Sequence, residues 1–280
     1  MAFLHEPAKE IPIIAEPDIL VAGAGPAGIG AAVAAARNGA KVLLVERYGF
    51  LGGNLTIAMV NPMFTFHDVQ GRQVIRGIAG ELVDRLVEHT ASLGHVRDLT
   101  FDNASMTPFD PEGMKLILFQ MVREAGVELL LHTWVVDAVT DGSKVTHVIV
   151  ENKSGRQAIQ PKMIIDCSAD ADIVAKVGAP FKKGRESDGM MQPVTLFFRI
   201  ADVDDQRLRA WMKANRELLK DSPTDEQIDS SQAIAFLGLQ SLIKQAIERG
   251  EFPADAAPRI LMYQLPRKGQ FAVNTTRLQG

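Results

Sequence analysis

The stretch "DILVAGAGPAGIGAAVAAARNGAKVLLVERYGFLGG", residues 18–53, decides the fold. Ile19–Ala22 is a short apolar run between a polar residue and glycine, as a strand buried in a parallel sheet would be. Gly23, Gly25 and Gly28 follow with GxGxxG spacing. The alanine-rich segment to Asn38 has strong helix propensity, and Gly39 ends it. Lys41–Val45 reads as a second strand, with Glu46 at its end.

Strand, glycine turn, helix, strand and acid in this register point to a dinucleotide. Gly23 permits the tight turn, Gly25 lets backbone approach a pyrophosphate, and Gly28 lets helix and strand pack closely. The pyrophosphate would sit at the helix N-terminus, whose unpaired N–H groups and positive dipole end favour an anion. Glu46 is placed to accept hydrogen bonds from both adenosine ribose hydroxyls, so a free 2'-hydroxyl is expected. GxGxxG alone is a weak signal; the flanking elements and the acid make it specific.

Downstream, "RYGFLGGNLT" brings the pair Gly52-Gly53 close behind the acid. Here the chain resembles the FAD-dependent oxidoreductases, the broad group that includes fumarate-reductase-like flavoproteins. The resemblance continues through "FDPEGMKLILFQMVREAGVELLLHTWVVDAV", "MIIDCSADADIVAKVGAPFKKGRESDGMMQPVTLFFRI" and "LPRKGQFAVNTTRLQG". It implies cofactor contacts from Gly23, Gly25, Pro26, Ala27, Gly28, Glu46, Arg47, Gly52 and Gly53. The strand holding Thr133–Val136, with Val135, would pass the adenine. The D-x-S/T-G-D-x-D segment, here Asp166–Asp172, would return to the cofactor through Ala169 and Asp170. Ala169 stands where the family usually has glycine. Some members tether the flavin through a histidine just before the Gly-Gly pair; here Tyr48, Gly49, Phe50 and Leu51 stand there, so noncovalent FAD is implied.

The fold class expected is α/β: a Rossmann-like FAD-binding domain, parallel sheet with helices and a β-meander, plus part of an α+β substrate domain. The first domain is placed at 17–180, with a helical insertion at about 61–105, and the second at 181–280. Ile75–Leu93 reads as an amphipathic helix, as does the segment from Asp110-Pro111 to Glu124. "VELLLHTWVVDAV", "KVTHVIVEN" and "AIQPKMIIDC" read as strands, with a turn at Asp141-Gly142. Further on, "QPVTLFFRIADV" reads as a strand, 205–219 and 230–249 as helices, and "RILMYQLP" and "QFAVNTTRL" as strands. Family members usually close the flavin site with a later glycine-rich segment, so a truncated or split chain is expected.

Candidate catalytic residues are Arg267 and Asn274, then His67, which is a proton donor or a surface histidine. Arg185, Gln192 and Arg277 lie in similar segments, where arginines pair with a carboxylate or serve as solvated cations. Cys167, the single cysteine of the chain, reads as a buried inert thiol. Asp170 and Asp172 read as a helix cap, and no metal is expected.

Composition narrows the partners. Hydrophobic residues make up 46% of the 280 positions, enough for a sizeable core. A net charge of −4 without a long basic run gives no footprint for nucleic acid or an anionic membrane surface. Glycines and a proline interrupt the apolar run after Ile19, which argues against a membrane span. The N-terminal stretch lacks a signal peptide's basic start, so a cytoplasmic protein is expected. The reading is an FAD-dependent oxidoreductase acting on a small organic substrate, with an electron-transfer partner or a homo-oligomer expected. Two alternatives stand beside it: an inactive or partner-dependent nucleotide-binding fragment, and an NAD-binding dehydrogenase domain.

Overall fold

The computed structural model describes residues 2, 8, 10–101, 104–275, 277 and 278. Its elements run β1 (Ile13–Ala15), β2 (Ile19–Ala22), α1 (Pro26–Arg37), β3 (Val42–Val45), β4 (Met63–Phe64), α2 (Ile78–Glu88), β5 (Met106–Thr107) and α3 (Pro111–Glu124). Then come β6 (Glu128–Leu130), β7 (Trp134–Asp141), β8 (Lys144–Asn152), β9 (Gly155–Ile159), β10 (Met163–Asp166), α4 (Asp172–Lys176), β11 (Phe197–Ile200) and α5 (Asp205–Ala214). α6 (Asp225–Ser230), β12 (Ala235–Gly238), α7 (Gln240–Glu248), β13 (Ile260–Gln264) and β14 (Phe271–Asn274) complete the order. Among the described residues no helix is long and apolar enough to cross a membrane.

The chain divides into two compact units, residues 1–51 with 119–181, and 52–118 with 182–280. Residues 52–118 thus group with the C-terminal part, whereas the expectation counted 61–105 as an insertion in the first domain. Among the described residues of 61–105, α2 is the one α-helix, shorter than the expected 75–93 because Gly77 precedes it at φ +64 and His89 closes it.

In the first unit, β10, β2, β3 and β6 form a parallel sheet in that order. The crossover from β2 to β3 is α1, which packs on both strands. Alternation decides what each face meets. Leu20 and Ala22 of β2, with Leu43 and Val45 of β3, pack against Val148 and Val150 of β8 and Ile159 of β9. Those last strands belong to a second sheet, β1-β9-β8-β7, whose β7, β8 and β9 are an antiparallel meander. Leu20 is fully buried, so Leu20→Ala would cost about 2–5 kcal/mol.

Two expected strands are each divided. "VELLLHTWVVDAV" breaks between β6 and β7, which lie in different sheets, and His132 turns the chain there at φ +51. "AIQPKMIIDC" likewise divides into β9 and β10 at Pro161, which has no N–H to continue a ladder.

The second unit holds an antiparallel sheet, β11-β14-β13-β12. One face, with Phe236, Met262 and Phe271, packs under Met212 of α5 and Ile228 of α6. The other face, with Ala235, Leu237, Leu261 and Tyr263, meets Val96, Phe101 and Met106. β12 corrects the helix expected over 230–249. Apolar residues cover both faces of this strand, so no period-2 alternation shows in its sequence. Gly238 also admits no side chain, since a Cβ would lie 2.4 Å from the Leu218 carbonyl oxygen. Only the latter part of the expected helix forms, as α7. The expected strand over 270–278 is helped by pairing with β13 and β11 as far as Asn274, and its Thr276 lies outside the described residues.

Candidate functional site

The parallel register sets Ala22, Val45 and Asp166 side by side at the C-terminal ends of β2, β3 and β10. Gly23, Glu46 and Cys167 therefore emerge together at the sheet edge where open α/β sheets bind ligands. Gly23 has φ +104, and a Cβ there would lie 2.4 Å from the Cys167 carbonyl oxygen. At Gly28 a Cβ would fall 1.8 Å from the Gly23 carbonyl oxygen. The fold itself demands these two glycines.

Gly25 is different. Its φ of −69 is open to any L-residue, and a Cβ would meet no atom within 4 Å. Gly25 is the N-cap of α1, with no side-chain cap, no acid in the first turn and Pro26 in the first turn. Pro26 and Ala27, the first helical residues, are exposed.

Glu46 is 7% exposed. One carboxylate oxygen accepts the Ala24 N–H at 2.8 Å and the other the Tyr48 N–H at 2.9 Å. The acid is therefore held rigidly beside the glycine turn, with a second lone pair on each oxygen. The Thr133 N–H donates to the Glu46 carbonyl at 3.0 Å, which draws the start of β7, with half-buried Val135, to the same edge. The Arg47 guanidinium lies over the rings of Tyr48 and Trp134, 4.8 and 5.2 Å from their centroids.

After β10, Asp166 does the capping that sequence assigned to Asp170 and Asp172. Its carboxylate accepts N–H groups from Ser168, Ile173 and Val174 at 3.0, 3.0 and 3.1 Å. The Ser168 hydroxyl accepts the Asp172 N–H at 2.8 Å. Burial pushes the Asp166 carboxyl upward, but these hydrogen bonds outweigh it and hold the group below its ordinary value. Asp170 is exposed, and α4 has Ala171 at its N-cap. Ala169 and Ala171 sit at φ +79 and +57, so the turn is left-handed where glycine is missing. Burial and the Asp166 charge push the Cys167 thiol above its ordinary value, and the residue is half-buried where sequence suggested a buried one.

The second unit holds the remaining candidates. Gly52 has φ +111 and Gly53 φ +49, and a Cβ on Gly52 would strike the Thr56 side chain at 2.5 Å. Backbone geometry accounts for that pair. Nδ1 of His67 is 2.9 Å from the Ser105 hydroxyl, and its ring meets His95 edge-on at 5.0 Å. Nδ1 of His95 in turn lies 2.7 Å from the Thr107 hydroxyl. Burial first, then the neighbouring His67, lowers the pKa of His95, with Asp84 opposing.

Arg267 donates through Nε to Asp110 at 2.9 Å, where Asp110 is buried and starts α3. Arg185 pairs with Asp188 at 2.7 Å, and Gln192 is exposed. Asn274 accepts the Thr195 hydroxyl at 2.6 Å and lines a cavity of about 360 Å³ together with Arg277, Arg259 and Tyr263. Arg259 and Tyr263 were not legible as site residues, because their place depends on the pairing of β13 with β14. Among the described residues there is no group of three His, Cys, Asp or Glu side chains able to hold a metal.

The fold is a mixed α/β one with parallel and antiparallel sheets, of the kind that flavoprotein oxidoreductases use. The chain belongs to the FAD dependent oxidoreductase family, whose sequence profile matches residues 18–276. A curated relative, the thiamine thiazole synthase of Aeropyrum pernix, is 31% identical over 137 residues, which are 48% of this chain and 43% of that protein. Two solved structures share the fold over most of the chain. A geranylgeranyl bacteriochlorophyll reductase-like protein of Thermoplasma acidophilum aligns with TM-score 0.56 and 15% identity, covering 93% of this chain and 56% of that one. The p-nitrophenol 4-monooxygenase of Pseudomonas putida aligns with TM-score 0.58 and 12% identity, covering 94% and 58%. The chain thus spans roughly half the length of these proteins.

Proposed function

We propose that the chain is an oxidoreductase that holds FAD noncovalently in a Rossmann-like first unit and acts on a small organic substrate. The observation that carries this reading is Gly25: a glycine that neither backbone strain nor any neighbouring atom requires, at an uncapped helix N-terminus beside a buried glutamate. A pyrophosphate is the group that such a cradle suits, since it is anionic and needs close approach to backbone. In this reading the free space at Gly25 admits the phosphates, and the N–H groups of Ala27 and Gly28 face them. Glu46 takes the ribose hydroxyls with its remaining lone pairs. Val135 lies toward the adenine, and the Ala169-Asp170 turn returns to the dinucleotide. Bound flavin would supply reversible two-electron transfer.

Purification with and without added FAD tests the reading. A yellow protein whose chromophore is released intact on denaturation supports noncovalent FAD. A colourless protein that takes up NAD and not FAD would favour the dehydrogenase alternative, which shares the ADP-binding logic. FAD bound without turnover of any donor would favour the partner-dependent fragment.

A further inference from the structure

The cavity of about 360 Å³ in the second unit is walled by aromatic and apolar side chains. Phe64 meets Phe101 and Tyr263 edge-on, both with centroids 5.9 Å away. Among the polar groups lining it, several are already engaged within the protein. The Asn61 amide donates to the Phe109 carbonyl at 2.7 Å, and the Thr195 hydroxyl donates to Asn274 at 2.6 Å. Tyr263 is 1% exposed, with its hydroxyl toward Thr100 at 3.4 Å. What remains for a ligand is a set of donors: the Asn274 amide nitrogen and the guanidiniums of Arg259 and Arg277.

Neither arginine has a side-chain hydrogen bond or carboxylate partner among the described residues, although both are half-buried. Their backbones are fixed. The Ala257 N–H donates to the Arg277 carbonyl at 2.9 Å, and the Thr275 hydroxyl to the Arg259 carbonyl at 3.3 Å. Burial, and then the charge of Arg277, lower the pKa of Arg259, with the Tyr263 phenol opposing. Two like charges thus share one cavity wall, with no carboxylate partner among the described residues. The same two arginines also line the adjoining cavity of about 670 Å³, where Lys220 and Lys244 add charge and Glu217 is the acid present.

We propose that Arg259, Arg277 and the Asn274 amide form the anion-recognising end of a ligand site, and that its ligand is a small aromatic carboxylate with its ring among Phe64, Phe101 and Tyr263. The volume is near the lower end for a small-molecule cleft, which fits a single ring. Two guanidiniums and one amide match the acceptors of one carboxylate. This site stands apart from the dinucleotide reading and does not depend on it.

Calorimetric titration of the full chain with benzoate, its neutral isostere benzamide, and phenyl phosphate tests the proposal. Benzoate binds, and benzamide binds about tenfold more weakly or worse, as expected for losing charge-assisted hydrogen bonds. Arg277→Gln and the isosteric Asn274→Asp each weaken benzoate by about tenfold or more and leave benzamide unchanged. Melting curves of both variants confirm folding; an Arg277→Gln that failed to fold would leave Asn274→Asp to decide. Equal binding of benzoate and benzamide, unchanged benzoate binding in the folded variants, or no binding of benzoate would overturn it. Phenyl phosphate binding tighter than benzoate would overturn the carboxylate assignment. Gly25→Val retains benzoate binding whatever it does to FAD, so failure of one reading is distinguishable from failure of the other.

Discussion

Replacing Ala169 by glycine is expected to stabilise the protein. Ala169 has φ +79 and is exposed, so its methyl group strains the backbone and contributes little packing. An L-residue in the left-handed region costs about 1–2 kcal/mol. Glycine gives back about 0.4–1 kcal/mol through the greater freedom of the unfolded chain. The net gain is therefore between about 0 and 1.6 kcal/mol, centred near 0.8, or a rise of up to about 6 °C in Tm. Differential scanning calorimetry of Ala169→Gly beside Ala169→Val measures it, and the β-branched variant should shift the opposite way because its side chain tolerates this φ least. The resemblance places glycine here in most family members, so Ala169→Gly is also expected to keep or tighten FAD binding. A lower Tm for the glycine variant, or no difference between glycine and valine, would refute the left-handed turn at this position.

Gly28→Ala should cost about 3 kcal/mol or more, because its Cβ would overlap the Gly23 carbonyl at 1.8 Å; chemical denaturation checks this. Asp166 gives a pH-dependent contribution. Its native pKa lies below the ordinary 3.8, so its stabilisation is present above that value and fades as pH falls through the native pKa. Asp166→Asn should lower Tm at neutral pH and narrow the gap to wild type in acid, which melts across that range would show. Arg267→Ala should cost no more than about 1 kcal/mol, since the arginine side chain is 60% exposed where it meets Asp110, and equilibrium urea unfolding would reveal a larger loss.

The first unit was legible where its signals are local. Strand, glycine turn, helix and acid follow one another within 18–46, and each residue's role depends on neighbours close in sequence. The glycines still carried two meanings that sequence could not separate: Gly23 and Gly28 answer to atoms of the protein, Gly25 to none. The cap of α4 was misread because alternate acids at 170 and 172 resemble a cap, while the real acceptor is Asp166, seven and eight residues before the N–H groups it holds. β12 was hidden by apolar side chains on both faces. The arginine pair was out of reach because Arg259 and Arg277 meet only through strand pairing, with nothing local to mark them as unpartnered.

The claim that the glycine turn is a phosphate cradle is tested most directly by titrating FAD into Gly25→Val and wild type while following Tm. Among the described residues no atom outside its chain neighbours lies within 4 Å of a Cβ at Gly25, so the account predicts a folded protein that loses no more than about 1–2 kcal/mol at the N-cap and loses FAD binding by orders of magnitude. A folded Gly25→Val protein that binds FAD with wild-type affinity would contradict it.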